Sequence, residues 1–189
     1  MKRIVVKYGV ISGVIISTLT AIMVPLAMTG RIDFGSSQLL GYSAMVLSFL
    51  AVFFGIRSYR DTTGGAITFG RAFKVGILIT LVACAVYVIA WEIVYWGFIP
   101  DFGDRYSAVV IEKLRESGAS PAEVAAEQKK MDEFKTLYRN PLFNVAVTFM
   151  EIFPVGLIVT LVSAGILRRR PGANVTASVS SAGLLARLP

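Results

Sequence analysis

The sequence predicts an all-α integral membrane protein, built as a four-helix bundle with an extracytoplasmic helical hairpin between spans 3 and 4. First, 55% of the 189 residues are hydrophobic and only 16% are charged, well below the charged share of an average soluble domain. Second, the chain contains four long apolar runs, and about 20 helical residues suffice to cross the hydrocarbon core. Third, basic residues cluster beside those runs, as they do in proteins whose charges determine membrane topology.

The apolar runs define the domain organisation. They predict spans over residues 8–28, 39–56, 75–99 and 142–167. Together they form one membrane domain over residues 1–170, with residues 100–141 as an external helical loop. Residues 171–189 are rich in Ser, Ala and Gly without a sustained period, so we expect a flexible cytoplasmic tail.

The distribution of Lys and Arg predicts the orientation. Basic residues concentrate in three places: Lys2, Arg3 and Lys7; Arg57, Arg60, Arg71 and Lys74; and Arg168, Arg169 and Arg170. These segments are expected in the cytoplasm, which puts both termini inside and requires an even number of spans. The formal charge of +7 therefore indicates contact with the lipid bilayer and its anionic lipids, and not with nucleic acid.

The loop between spans 3 and 4 is predicted to hold two short helices. Pro100-Asp101-Phe102-Gly103 is a turn signal, and a first helix follows over residues 104–116. A second helix begins at Ser120, where Pro121 and Glu123 have the spacing of a capping box with proline at the first helical position. This hairpin is expected to lie over the mouth of the bundle.

Small residues predict where the spans pack, because they let backbones approach closely in a membrane. The first stripe is Gly9, Gly13, Ser17 and Ala21, and the second is Gly41, Ala44, Ser48, Ala51 and Gly55, along the full length of its span. Pro25 and Pro154 lie inside spans, so each is expected to kink its helix and free a carbonyl.

Two carboxylates inside apolar runs, Glu92 and Glu151, are the candidate functional residues, because charge is costly within a membrane. At about 1.5 Å per residue, both lie roughly 26 Å from the cytoplasmic boundary, in the outer leaflet. Candidate neighbours at that height or along those spans are Tyr42, Trp91, Pro25 and Pro154. Each acid is either a structural residue near water, or a member of a pair that shares a proton or a cation. Both interpretations remain open at this point.

The sequence contains no motif that indicates catalysis, metal binding or phosphate binding. Histidine is absent, and the single cysteine, Cys84, lies in the middle of the third span. We find no phosphate-binding glycine loop, no metal-ligand spacing and no combination of nucleophile and base. The sequence therefore predicts no catalytic residue, no metal and no cofactor.

Several short motifs resemble a bacterial membrane family catalogued as domain of unknown function 4199. They are Phe53-Phe54-Gly55-Ile56-Arg57-Ser58-Tyr59-Arg60-Asp61, Ile67-Thr68-Phe69-Gly70-Arg71-Ala72-Phe73, Pro100-Asp101-Phe102, Tyr138-Arg139-Asn140-Pro141, and Glu151 with Pro154-Val155-Gly156. The resemblance covers residues 1 to about 170. It implies a four-span protein of a bacterial inner membrane, and it implies no activity.

The function expected on these grounds is a non-enzymatic accessory or structural role in the inner membrane, through contacts with a membrane-protein partner or a second copy of the chain. The alternative is a small proton- or cation-coupled transporter, or a channel subunit, that uses Glu92 and Glu151.

Overall fold

A computed structural model describes residues 1–28 and 34–169, with side chains described for 1–26 and 39–169. The described chain is all-helical, with six helices and no strand. The helices are α1 (Lys2–Met28), α2 (Phe34–Thr62), α3 (Phe69–Phe98), α4 (Phe102–Glu116), α5 (Pro121–Tyr138) and α6 (Pro141–Leu167). The predictions for Arg170 and for the tail at 171–189 lie outside the described residues.

Four of these helices, α1, α2, α3 and α6, are long and apolar enough to cross a membrane, so the chain is a membrane protein. Most of them extend beyond the apolar runs that predicted them. Helix α1 begins at Lys2 instead of residue 8, and α2 continues to Thr62 instead of ending at 56. Hydropathy identifies only the apolar segment of a helix. The helix itself continues into polar flanking residues, because their backbone hydrogen bonds are unchanged and their long side chains can extend into water.

The two central helices are α2 and α3, each of which contacts the other three long helices. Their shared core contains Phe49 and Val52 from α2, Ile79 and Ala83 from α3, and Ile152 from α6, all fully buried. Side-chain hydrogen bonds join helices inside this core. Ser12 of α1 donates to the Ser48 carbonyl of α2 at 2.9 Å, and Thr80 and Thr160 pair their hydroxyls at 2.9 Å.

The glycine stripes pack as predicted along most of their length. A Cβ atom at Gly9 would lie 2.6 Å from Val82, and one at Gly13 would lie 2.6 Å from Val86, so the α1 stripe faces α3. A Cβ atom at Gly55 would lie 2.5 Å from the Ile79 side chain. The α2 stripe does not run the whole helix, however, because nothing lies within 4 Å of a Cβ at Gly41. Pro25 and Pro154 both lie within continuous helices.

The segment between α3 and α6 folds into α4 and α5, which pack on each other; α4 also contacts α1, and α5 contacts α6. Helix α4 begins at Phe102, two residues before the predicted start. The predicted capping box is present, since the Ser120 hydroxyl accepts from the Glu123 amide and the Glu123 carboxylate accepts from the Ser120 amide. Lys135 joins the two helices by an ion pair of 3.1 Å with Asp104.

Candidate functional site

An aromatic cluster lies where α3, α4, α5 and α6 meet. It consists of Trp91, Tyr95, Phe102, Phe134, Tyr138 and Phe143. Trp91, Tyr95 and Tyr138 are buried, and the Trp91 indole donates a hydrogen bond of 2.8 Å to the Tyr138 hydroxyl. The Phe102 ring stands edge-on to Trp91 with centroids 5.0 Å apart, and Tyr95 stands edge-on to Tyr138 at 5.4 Å. The cluster therefore attaches the α4–α5 pair to the ends of α3 and α6.

Buried polar side chains of α6 form further hydrogen bonds next to Tyr138. The Tyr138 hydroxyl, which accepts from Trp91, also interacts with Thr148. Thr148 donates a hydrogen bond of 3.3 Å to the Asn144 amide oxygen. The Asn144 amide nitrogen donates to the Tyr138 carbonyl at 3.4 Å, and both Asn144 and Thr148 are buried. Burial raises the pKa of Tyr138 to about 12, so its phenol stays protonated well above neutral pH.

Glu151 lies two turns along α6 from Asn144 and is exposed at the protein surface. Its carboxylate interacts electrostatically with the phenols of Tyr87 and Tyr138. Glu151 is thus an exposed acid that interacts electrostatically with phenols from two helices, α3 and α5.

Glu92 lies on α3 and is partly exposed. One carboxylate oxygen, Oε2, accepts a hydrogen bond of 2.8 Å from the Trp96 indole. The other, Oε1, is buried and has no hydrogen-bond partner among the described residues. The carboxylate also interacts electrostatically with Tyr95 of the aromatic cluster.

The two acids thus have separate sets of partners. Glu92 interacts with Trp96 and Tyr95, whereas Glu151 interacts with Tyr87 and Tyr138. Within the described chain, no hydrogen bond joins the two carboxylates. Both nevertheless reach the same aromatic cluster, through Tyr95 and Tyr138.

The four residues predicted as neighbours of the two acids lie in different parts of the structure. Trp91 belongs to the aromatic cluster and bonds Tyr138. Pro25 lines a groove of about 280 Å³ between α1 and α3, together with Trp91. Tyr42 is 52% exposed on α2, and Pro154 is exposed on α6. Trp91 is part of the hydrogen-bonded network that reaches the α4–α5 pair.

Sequence reasoning missed the buried polar partners of Tyr138. These are Asn144 and Thr148. They precede Glu151, which the sequence does single out, at spacings of four and three residues along α6, the spacing of one helix face. A polar stripe inside an apolar helix is the signal that would have found them. No group of three or more His, Cys, Asp or Glu side chains suited to a metal ion occurs in the part of the chain that the structure describes.

Comparison with known proteins gives one match. A family model described as "Protein of unknown function (DUF4199)" matches residues 7–169. No curated protein and no solved structure matches the chain. The matched region includes α2 to α6 entirely and most of α1.

Proposed function

The chain belongs to the DUF4199 family of proteins of unknown function, and on this premise we propose a non-enzymatic accessory or structural component of a bacterial cytoplasmic membrane. In this proposal α1, α2, α3 and α6 form a four-helix bundle across the membrane. The α4–α5 pair is an extracytoplasmic hairpin, and both termini lie in the cytoplasm. The observation that carries the proposal is the buried hydrogen bond of 2.8 Å from Trp91 to Tyr138.

That bond matters because it gives the hairpin a defined position. A loop that only connected two spans would need no buried contact with them. Here the hairpin is held by the Trp91–Tyr138 bond and the packing of Phe102 on Trp91, and its two helices are joined by the ion pair of Lys135 with Asp104. A fixed surface of this kind suits contact with another membrane protein, since less conformational entropy is lost on binding.

The charge distribution supports the orientation. The end of the bundle opposite the hairpin carries Lys7, Arg57 and Lys74 among other basic residues, with Asp61 as the sole acid in residues 57–74. The hairpin instead carries both signs in similar number, as in the pairs of Arg105 with Asp101 and Lys130 with Glu127. Lys and Arg are enriched in cytoplasmic loops, so the basic end belongs inside.

A photoreactive amino acid placed in the hairpin tests the accessory role. We place it at Lys129, an exposed position of α5, and as a control at Ile158, which is 61% exposed on apolar α6. Irradiation of whole cells should give a discrete protein adduct from position 129 that weakens when Tyr138→Phe loosens the hairpin. Adducts from position 158 alone, or none from several hairpin positions, would contradict the proposal.

The alternative is a small proton- or cation-coupled transporter or channel subunit that uses Glu92 and Glu151. The position of Glu151, beside two phenols and at the surface, favours it. Vesicles that contain the unaltered protein, Glu92→Gln or Glu151→Gln separate the two functions. The accessory role predicts no proton or cation flux above protein-free vesicles in any of them. Flux that the unaltered protein supports and Glu151→Gln abolishes would establish the alternative instead.

A further inference from the structure

The basic end of the molecule carries positive charge that the described chain does not neutralise. It consists of Lys2, Arg3, Lys7, Arg57, Arg60, Arg71, Lys74, Arg168 and Arg169. The only acid in these segments, Asp61, is bound by Arg60 at 3.1 Å. Residues 170–189 contain no Asp or Glu. Anionic lipid at the membrane surface is a natural partner for such an accumulation of positive charge.

One groove at this end is shaped to receive such a counter-charge. It lies between α1 and α2, has a volume of about 540 Å³, and is lined by Tyr8, Phe54, Arg57, Ser58, Asp61 and Thr62. Arg57 is exposed and has no hydrogen-bond or ion-pair partner among the described residues. Lys7 adds a second cation at the rim, with its ammonium 5.6 Å from the centre of the Tyr8 ring.

The position of the Tyr8 ring is set by packing. A Cβ atom at Gly55 would lie 3.2 Å from Tyr8 Cβ and 3.2 Å from Tyr8 Cγ. The missing side chain at Gly55 therefore leaves room for Tyr8 against the α2 backbone. This contact places the phenol of α1 beside the guanidinium-bearing turn of α2 and forms one wall of the groove.

The α2 surface that continues from the groove changes from apolar to cationic along the helix axis. Leu47, Leu50 and Phe54 lie on one face of α2, where they are 62%, 44% and 51% exposed, and Arg57 follows on that face. The spacing of three, four and three residues keeps all four side chains in one row. Hydrocarbon chains suit the leucine and phenylalanine positions, and a phosphate suits the guanidinium and the Ser58 hydroxyl at the end.

We propose that the α1–α2 groove at the basic end binds one anionic phospholipid, whose phosphate contacts Arg57 and Ser58 and whose acyl chain lies along Phe54, Leu50 and Leu47. Asp61 does not repel the phosphate as a free carboxylate, because Arg60 binds its Oδ1 atom through both Nε and Nη2. The apolar row distinguishes a lipid from free phosphate. The proposal rests on the membrane location of the chain and does not depend on the accessory role.

Native mass spectrometry of the full chain in detergent, titrated with phosphatidylglycerol or phosphatidylcholine, tests the proposal. The unaltered protein should retain one phosphatidylglycerol molecule in preference to phosphatidylcholine. Arg57→Gln should weaken phosphatidylglycerol binding about tenfold or more, since a charge-assisted two-pronged contact is lost. Arg57→Lys, which keeps the charge but not the planar fork, should fall between them.

Arg71→Gln is the matched control, because it removes the same charge from an exposed position of the same end outside the groove. It should change the affinity less than twofold. Equal losses from Arg57→Gln and Arg71→Gln, or equal retention of the two lipids, would overturn the proposal in favour of general charge attraction. Inorganic phosphate that competes fully with phosphatidylglycerol would overturn it in favour of a free-phosphate site. Helical circular dichroism checks folding; if Arg57→Gln fails to fold, Arg57→Lys and Ser58→Ala decide by the same comparison.

Discussion

At the scale of single residues, Gly156 has the tightest surroundings in the seam between α6 and the central helices. A Cβ atom there would lie 2.5 Å from Thr80 Cγ2 and 2.8 Å from the Phe49 ring. Thr80 is also the residue that pairs with Thr160 across the same seam. Close backbone approach, not flexibility, is thus the reason for glycine at this position.

Gly156→Ala should therefore destabilise the protein by about 1–3 kcal/mol, since an overpacked core must shift to admit a methyl group. Gly41→Ala is the matched control, because a Cβ at Gly41 meets nothing within 4 Å. It should be neutral or stabilise by up to about 1 kcal/mol through helix propensity. Thermal unfolding in one detergent measures both, and similar effects at the two positions would contradict this account.

At the scale of elements, the attachment of α5 depends on Tyr138. Its hydroxyl accepts from buried Trp91, and its ring stacks on Phe134 with centroids 5.2 Å apart. Tyr138 lies at the last position of α5, two residues before the Asn140 cap of α6. A change there should act on the docking of a whole helix.

Tyr138→Phe keeps the ring but leaves the Trp91 indole buried without its acceptor. We expect a loss of about 1–3 kcal/mol, the cost of an unsatisfied buried donor. Hydrogen exchange should show faster opening of α5 amides, with little change in the middle of α3. Tyr42→Phe, at an exposed position, should leave exchange unchanged. Unaltered exchange of α5 in Tyr138→Phe would show that the hydroxyl does not hold the hairpin.

The first turn of α5 should respond to pH. Hydrogen bonds from the Ser120 amide and hydroxyl hold the pKa of Glu123 below its ordinary value of 4.5. A lowered carboxyl pKa means that the cap is fully formed above pH 4.5 and is lost as the pH falls through the lower folded value. Amide exchange at the start of α5 should rise in that acid range. Glu123→Gln should remove this dependence, and a dependence that persists in it would assign the effect to another group.

At the scale of the whole molecule, the excess of basic residues and the hairpin lie at opposite ends of the long helices. This polarity yields the orientation proposed above, with the basic end in the cytoplasm. The same arrangement puts Glu92 and Glu151 near the hairpin and away from the basic end, since both interact with the aromatic cluster.

A topology reporter tests that orientation. Alkaline phosphatase fused after Lys129 should be active, because it folds only outside the cytoplasm, and a fusion after Gly64 in the α2–α3 connection should be inactive. Fluorescent-protein fusions at the same two positions should give the opposite pattern. An active phosphatase at Gly64 would reverse the orientation, although the helix packing would be unchanged.

The number and approximate extent of the helices follow from the sequence, because they depend on local properties. An apolar run of sufficient length must be helical in lipid, and the capping box at Ser120 and Glu123 specifies a helix start within four residues. Even the glycine seams at Gly9, Gly13 and Gly55 follow from residue size. Hydropathy does not mark helix ends, which is why α1 and α2 exceed their predicted spans.

Tertiary structure alone decided which surfaces meet. The bond from Trp91 to Tyr138 joins residues far apart in the chain, and the partners of Glu92 and Glu151 depend on how α3 and α6 are rotated and offset. Gly41 and Gly55 belong to the same small-residue stripe in the sequence, but a Cβ atom at Gly41 would have no neighbour within 4 Å. Local periodicity specifies that a face needs a partner, whereas the identity of that partner depends on the complementarity of all the helices at once.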